Sequence, residues 1–313
     1  MTIASIDIGS NTVLLLLAKF NSSLKTLSAT ANFHKIPRLS QGLLPNGEIS
    51  KEKIDSLLDI LIDYKNICDK YSCSNILINA TNAFRIASNS AEIINLVKDK
   101  LSLEIKTISG DEEGRLTFLG SAFPFLAGES KAVIDIGGGS TEIIFGNQER
   151  IVYQNSFDIG VVSLTEKILT SLPSSEEMII DAVAYIDKTF LLLSEQIPTN
   201  VKTIAVAGTP TTLSSIKQEI KIFDEKLVDN SSISSSELKD MIRVLKELSK
   251  DEVLKRYGKV VEGREDILLA GSLILYGIMQ KLKLDEVIVS SKGLRYGAVV
   301  DYLLKNKLME IDR

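Results

Sequence analysis

The sequence predicts an α/β protein of two domains. Three observations carry this. Strand and helix patterns alternate along the whole chain. One strand–turn–strand pattern occurs twice, at domain scale. The 313 residues also suit two domains at roughly 150 residues each.

Residues 3–8 are a β-branched run ending in Asp7-Ile8-Gly9-Ser10-Asn11, a turn signal, and 13–20 read as the returning strand. In 51–70 the apolar residues Ile54, Leu57, Leu58, Leu61, Ile62 and Ile67 share a helical face. Then follow a short strand at 75–79, a helix at 91–101, a strand at 104–108 and a helix opening at Asp111 and running to Phe123. Ala127-Gly128 reads as a hinge, which places the boundary between domains 1–123 and 124–313. The second half repeats the plan. A strand at 131–136 ends in Asp135-Ile136-Gly137-Gly138-Gly139-Ser140-Thr141, and 142–145 return. A strand at 201–207 leads into Gly208-Thr209-Pro210-Thr211-Thr212, which opens a helix. Residues 267–282 are helical, 287–290 form the last strand, and a closing helix at 297–313 is placed to pack back on the first domain. Ser231 to Ser236 read as a loop and helix N-cap.

The net charge of −5 and pI near 5.2 argue against a general binder of DNA or of a membrane surface, which would carry a basic field. A polyanionic substrate in a local basic groove stays open. Two cysteines and one histidine are too few for a structural zinc site. The N-terminus lacks a basic flank followed by a long apolar run, and no segment approaches the ~20 apolar residues of a membrane span. The expectation is a cytoplasmic protein.

The repeated Asp-Ile-Gly hairpin carries the chemistry. Glycines let backbone N–H groups close on a phosphate, and Ser10, Thr12, Ser140 and Thr141 add hydroxyl donors. An aspartate at the strand end can hold Mg²⁺, which takes few carboxylates and keeps its waters. A single copy reads equally well as a plain β-turn; two matching copies favour phosphate binding. In Ser109-Gly110-Asp111-Glu112-Glu113-Gly114-Arg115, Ser109 and Glu112 fit a capping box. Glu113 then has no capping duty. With one histidine in the chain, a carboxylate is the favoured general base; the alternative for Glu113 is a solvated acid compensating the helix dipole. Gly208-Thr209 reads as a phosphate or nucleoside site or as a simple helix start, and both stay open. Lys35, Arg38, Arg85, Arg115, Arg264, Lys292 and Arg295 are the cationic candidates, with Arg85, Arg264 and Arg295 set at junctions between elements.

Taken together, Asp7-Ile8-Gly9-Ser10-Asn11, Ala80-Thr81-Asn82-Ala83-Phe84-Arg85, Ser109 through Leu116, Asp135 through Glu142 and Ser291-Lys292-Gly293-Leu294-Arg295 resemble the exopolyphosphatase and guanosine pentaphosphate phosphatase family. The matching pieces fall in order over nearly the whole chain. The resemblance implies two domains of the actin-like (ribonuclease H-like) ATPase superfamily fold with a site in the cleft between them. It implies that Glu113 is the catalytic glutamate that deprotonates the attacking water and that Arg85 is the family arginine. It implies Mg²⁺ at Asp135 and Glu142 with Asp7 opposite, and phosphate-binding loops at Ser10-Asn11 and Gly137 to Thr141. The substrate it implies is inorganic polyphosphate, with guanosine pentaphosphate as the alternative; an actin-superfamily kinase or a non-catalytic sensor are further readings. A homodimer is the generic expectation. Two departures stand out. Thr12-Val13-Leu14 replaces an aromatic–His pair that many members carry after the first loop, and Tyr296 follows Arg295. The chain resembles the short two-domain form, without the C-terminal helical domain of longer members.

Overall fold

The computed structural model describes residues 1–23, 26–44, 47–123, 129–147 and 150–309. The expected hinge at Ala127-Gly128 lies outside them. The chain divides into two compact units, Met1–Gly120 with Leu294–Arg313, and Ser121–Gly293. That division differs from a single cut at 123/124, because the last helix belongs with the first unit.

In the first unit, β1 (Thr2–Ile8), β2 (Val13–Asn21) and β3 (Thr26–Lys35) form an antiparallel meander. Helix α1 (Lys51–Lys70) then leads to β4 (Asn75–Ala80), α2 (Asn82–Ile86), α3 (Ser90–Leu101), β5 (Ile105–Thr107) and α4 (Gly110–Ala122). The sheet order is β3-β2-β1-β4-β5, with β1, β4 and β5 parallel. Side chains alternate across a strand, so Ala4, Ile6 and Ile8 join the core under α1 and α3 while Asp7 shares the opposite face with Ile3 and Ser5.

The second unit repeats this order. It contains β6 (Lys131–Ile136), β7 (Thr141–Gly146), β8 (Ile151–Phe157), α5 (Val161–Lys167), α6 (Glu176–Thr189), α7 (Leu193–Gln196), β9 (Thr203–Val206), α8 (Gly208–Lys217) and α9 (Glu225–Val228). Then come β10 (Ser232–Ser234), α10 (Ser235–Leu245), α11 (Lys250–Tyr257), a 3₁₀ turn, α12 (Leu268–Leu282) and β11 (Glu286–Val289). Its sheet runs β10-β11-β9-β6-β7-β8. The meander β6-β7-β8 and the parallel set β6, β9, β11 reproduce the first sheet, with β10 added antiparallel at the edge. The serine run at 231–236 therefore holds a strand as well as the cap. Ser234 accepts the Glu237 N–H in a capping box that starts α10. Helix α12 is buried along most of its length, which accounts for its nearly continuous apolar sequence.

The closing helix, α13 (Leu294–Lys305), begins and ends earlier than 297–313. It packs on β1 and β2. Leu294, Gly297, Ala298 and Asp301 recur at helical spacing on one face. Leu294 and Ala298 cluster there with Leu116 of α4.

Candidate active site

In each unit the candidate residues gather at the carboxyl ends of three adjacent parallel strands, the edge where open α/β sheets bind ligands. In the first unit these ends are the turn after β1, the start of α2 after β4, and the start of α4 after β5. In the second they are the turn after β6, the start of α8 after β9, and the loop after β11.

The two turns are built alike. Gly9 N donates to Thr12 O at 2.9 Å, and Gly137 N to Ser140 O at 2.9 Å. A Cβ at Gly9 would stand 3.2 Å from Thr12 O, and one at Gly137 3.0 Å from Ser140 O, so both turns close too tightly for a comfortable side chain. The carbonyls behind each turn are also bound. Ser10 O accepts from Ser40 N, and Asn11 O from Arg38 N. Gly137 O accepts from Val161 N, and Gly138 O from Val162 N and Ser163 N. Pinning the carbonyls leaves the N–H side of each turn for an anion. Ser10 Oγ and Asn11 Oδ1 are buried with no hydrogen-bond partner among the described residues. Unsatisfied groups of this kind call for a specific explanation; the Ser10 hydroxyl can donate to a phosphate oxygen at the turn, whereas Asn11 Oδ1, an acceptor, calls for a donor or a cation.

Gly160, just after β8, fixes the second turn. A Cβ there would lie 2.5 Å from Gly138 C and O, and 2.6 Å from Gly139 N. Asp158-Ile159-Gly160 is a third Asp-Ile-Gly in the sequence, a signal that motif reading passed over. Thr141 takes a different part from the expected phosphate donor. It is fully buried, and its hydroxyl donates to Ile159 O at 2.6 Å, so it secures the turn from behind.

The two aspartates differ in their cross-strand neighbours. Asp135 pairs with Glu142, whereas Asp7 pairs with Leu14. Directly opposed residues on antiparallel strands point to the same face, so the second hairpin carries a carboxylate pair and the first does not. Glu142 is buried, and its Oε1 accepts the Ser156 hydroxyl at 2.6 Å from β8, where Ser156 is its register partner. Among the described residues no three His, Cys, Asp or Glu side chains cluster to cage a metal. A two-carboxylate set does fit Mg²⁺, which completes its shell with water and substrate phosphate oxygens.

Glu113 sits in the first turn of α4 and is buried. Arg85 Nη1 donates to its Oε2 at 2.5 Å and to Ile108 O at 3.1 Å. Thr81, the residue before α2, ties this corner to β1: its N–H donates to Ile8 O, and its side chain lies near enough to Glu113 to favour the ionised carboxylate. Burial raises the Glu113 pKa, while Arg85 and Thr81 pull against that rise. A carboxylate held between these influences suits a general base. Its neighbour Glu112 has another role. The Ser109 hydroxyl accepts the Glu112 N–H at 3.2 Å as a cap, but the Glu112 carboxylate turns to a forked pair with Arg115 instead of completing the box. Arg115 also reaches Asp301 on α13 at 2.8 Å, so it serves the helix contact. Replacing Arg85 by Gln removes a charge that favours ionised Glu113. The acidic limb of the kcat/KM–pH profile then moves to higher pH; an unmoved limb would show that Arg85 does not set this titration.

The start of α8 departs from expectation. Ala207 has φ 75° and ψ −166°, a region essentially reserved for glycine that costs about 1–3 kcal/mol. Thr211 Oγ1 holds it by donating to Ala207 O at 2.8 Å. The Thr209 side chain turns into the protein, since a Cβ at Gly271 of α12 would meet its Oγ1 at 2.2 Å. Only backbone groups of Gly208 and Thr209 are therefore offered at the edge. Arg264 lies against Gly208, 3.0 Å from where a Cβ would be, and donates to Thr212 Oγ1 at 3.1 Å. Burial lowers its pKa. Arg295 donates to Asn32 in the first unit.

The model of the Ppx/GppA phosphatase family matches residues 20–306. The chain belongs to the Ppx/GppA phosphatase family. It is 32% identical over 95% of its length to a bifunctional 3-dehydroquinate synthase/phosphatase of Fusobacterium nucleatum, and spans 46% of that protein. To exopolyphosphatase 2 of Mycobacterium tuberculosis it is 27% identical over 94% of its length and 96% of the relative. The crystal structure of the Aquifex aeolicus member of the Ppx/GppA family matches with a TM-score of 0.83 at 30% identity, covering 98% of both chains. The two sheets are those of the actin-like ATPase fold. As a Ppx/GppA protein the chain is a hydrolase of phosphoric anhydrides. No helix among the described residues is long and apolar enough to cross a membrane.

Proposed function

We propose that this Ppx/GppA protein is an exopolyphosphatase that removes the terminal phosphate of inorganic polyphosphate. The observation that carries the reading is the buried Glu113 carboxylate, bonded to Arg85 at a parallel-strand edge, in a chain whose relative in M. tuberculosis is named an exopolyphosphatase. Glu113 orients the attacking water and takes its proton. Arg85 favours the ionised form of Glu113 against the burial that raises its pKa, and aims it. Backbone N–H groups of Gly137 to Ser140, and the Ser10-Asn11 turn, hold phosphate oxygens. Asp135 and Glu142 would hold Mg²⁺, which when bound offsets the charge of the phosphate chain. Ser156 fixes one Glu142 oxygen from β8, and Glu142 stands opposite Asp135 on the neighbouring strand. Positioning and charge compensation carry most of the rate in phosphoryl transfer.

A second reading, hydrolysis of guanosine pentaphosphate, is favoured by one feature: Arg264 beside the glycine start of α8 is a cation suited to the phosphates of a nucleotide. Orthophosphate release from long-chain polyphosphate, guanosine pentaphosphate and ATP, each with and without EDTA, separates the readings. Metal-dependent release fastest from polyphosphate supports the first reading, and release fastest from pentaphosphate supports the second. Release from neither would overturn both.

A further inference from the structure

The loop after β11 carries a cation that the proposed mechanism leaves unused. Lys292 Nζ lies 3.1 Å from Asp229 Oδ2 and its side chain is 36% exposed. The other oxygen of Asp229 organises the loop. Oδ1 accepts from Ser290 Oγ at 3.0 Å, Ser291 N at 3.1 Å and Ser291 Oγ at 3.3 Å. Ser290 Oγ in turn accepts from Lys292 N at 3.1 Å, and Ser291 Oγ reaches Glu225. One carboxylate thus shapes the loop with one oxygen and holds the ammonium with the other.

We propose that Lys292 is a specificity residue that binds an inner phosphate of a long chain, with Asp229 as its resting counter-ion and the residue that positions its loop. The inference rests on the phosphate-chain reading above. Topology supplies the distance. Strands β6, β9 and β11 are successive parallel neighbours, and all three send their carboxyl ends to one edge. Two strand spacings, about 10 Å, separate the glycine turn from the Lys292 loop. A terminal phosphate on the turn therefore leaves Lys292 opposite phosphates several links further in. Chemistry supplies the exchange. Solvent reaches the Lys292 side of the pair, 36% exposed against 13% for Asp229, and screens the ammonium there, and a polyphosphate presents a denser negative charge than one carboxylate. The ammonium leaves Asp229 for the chain while Oδ1 keeps the loop in place.

Equilibrium binding to Glu113→Gln protein tests this without turnover. The probes are labelled long-chain polyphosphate and inorganic tripolyphosphate, with Lys292→Met, Lys292→Arg and Asp229→Asn each added to that background. Lys292→Met should raise the Kd for the long chain about tenfold, the size of one charge-assisted contact, and change the tripolyphosphate Kd less than twofold. Lys292→Arg should restore long-chain binding. Asp229→Asn keeps an acceptor for the two serines, frees the ammonium, and should tighten long-chain binding. Equal changes for both probes, or none for the long chain, would overturn the proposal. Phosphate release by the wild-type protein, measured separately, reports on the exopolyphosphatase reading: a protein that binds long chains through Lys292 but releases no phosphate refutes that reading alone.

Discussion

Glu113→Gln lowers kcat by about 10²–10⁴ and leaves substrate binding close to wild type. The substitution keeps the size of the side chain and an acceptor for Arg85, which donates to Oε2, but removes the ability to take a proton. Loss confined to kcat marks an interaction made in the transition state, whereas a raised KM would mark a binding residue. The same variant tests the buried charge. The folded-state pKa of Glu113 is raised, chiefly by burial. Between the unfolded and folded pKa values the native state therefore binds more protons than the unfolded chain, and wild-type stability falls as pH rises through that interval. Urea midpoints of the Gln variant should lack this component of the slope. Near-wild-type kcat in Glu113→Gln would remove the glutamate from its assigned role.

Gly297→Ala destabilises the protein by about 2–4 kcal/mol, at or beyond the upper end of overpacking effects. A Cβ at Gly297 would stand 1.7 Å from Leu116 O and 3.0 Å from Gly120 N, both backbone atoms of α4. No rotamer change relieves such a contact; one helix must move. Around it, Arg115 ties Glu112 to Asp301, and Lys305 adds a second bond to Asp301 at 2.7 Å. Helix α4 carries Glu113 on its first turn, so the displacement also lowers kcat. Urea unfolding with activity assays on the folded fraction checks both effects. Wild-type stability would show that α13 does not cross α4 in backbone contact.

Much of this was legible in the sequence because it depends on neighbours in the chain. The Asp-Ile-Gly turns, the Ser109 cap and the helical face of α1 are local patterns, and the duplicated hairpin foretold the duplicated sheet topology. Other features were hidden by long-range partners. Strand β3 (Thr26–Lys35) is a largely exposed edge strand without an apolar run, so periodicity does not announce it. The roles of Ser156, Thr81 and Asp229 depend on contacts with Glu142, Glu113 and Lys292 that fold topology alone creates. Thr141 and Thr209 stand in motifs that suggest phosphate donors. Tertiary packing instead gives the first hydroxyl to Ile159 O and turns the second side chain toward α12. A motif specifies the backbone course of a loop better than the direction of its side chains.

In the proposed mechanism water, activated by Glu113, attacks the terminal phosphorus. A single turnover of long-chain polyphosphate in ¹⁸O-water, with mass analysis of both products, tests it most directly. The expected result is one ¹⁸O atom in the released orthophosphate, none in the shortened chain, and no release within the same interval by Glu113→Gln. Label in the shortened chain would place the attack on the next phosphorus, and unlabelled orthophosphate with an unlabelled chain would mean that water is not the nucleophile.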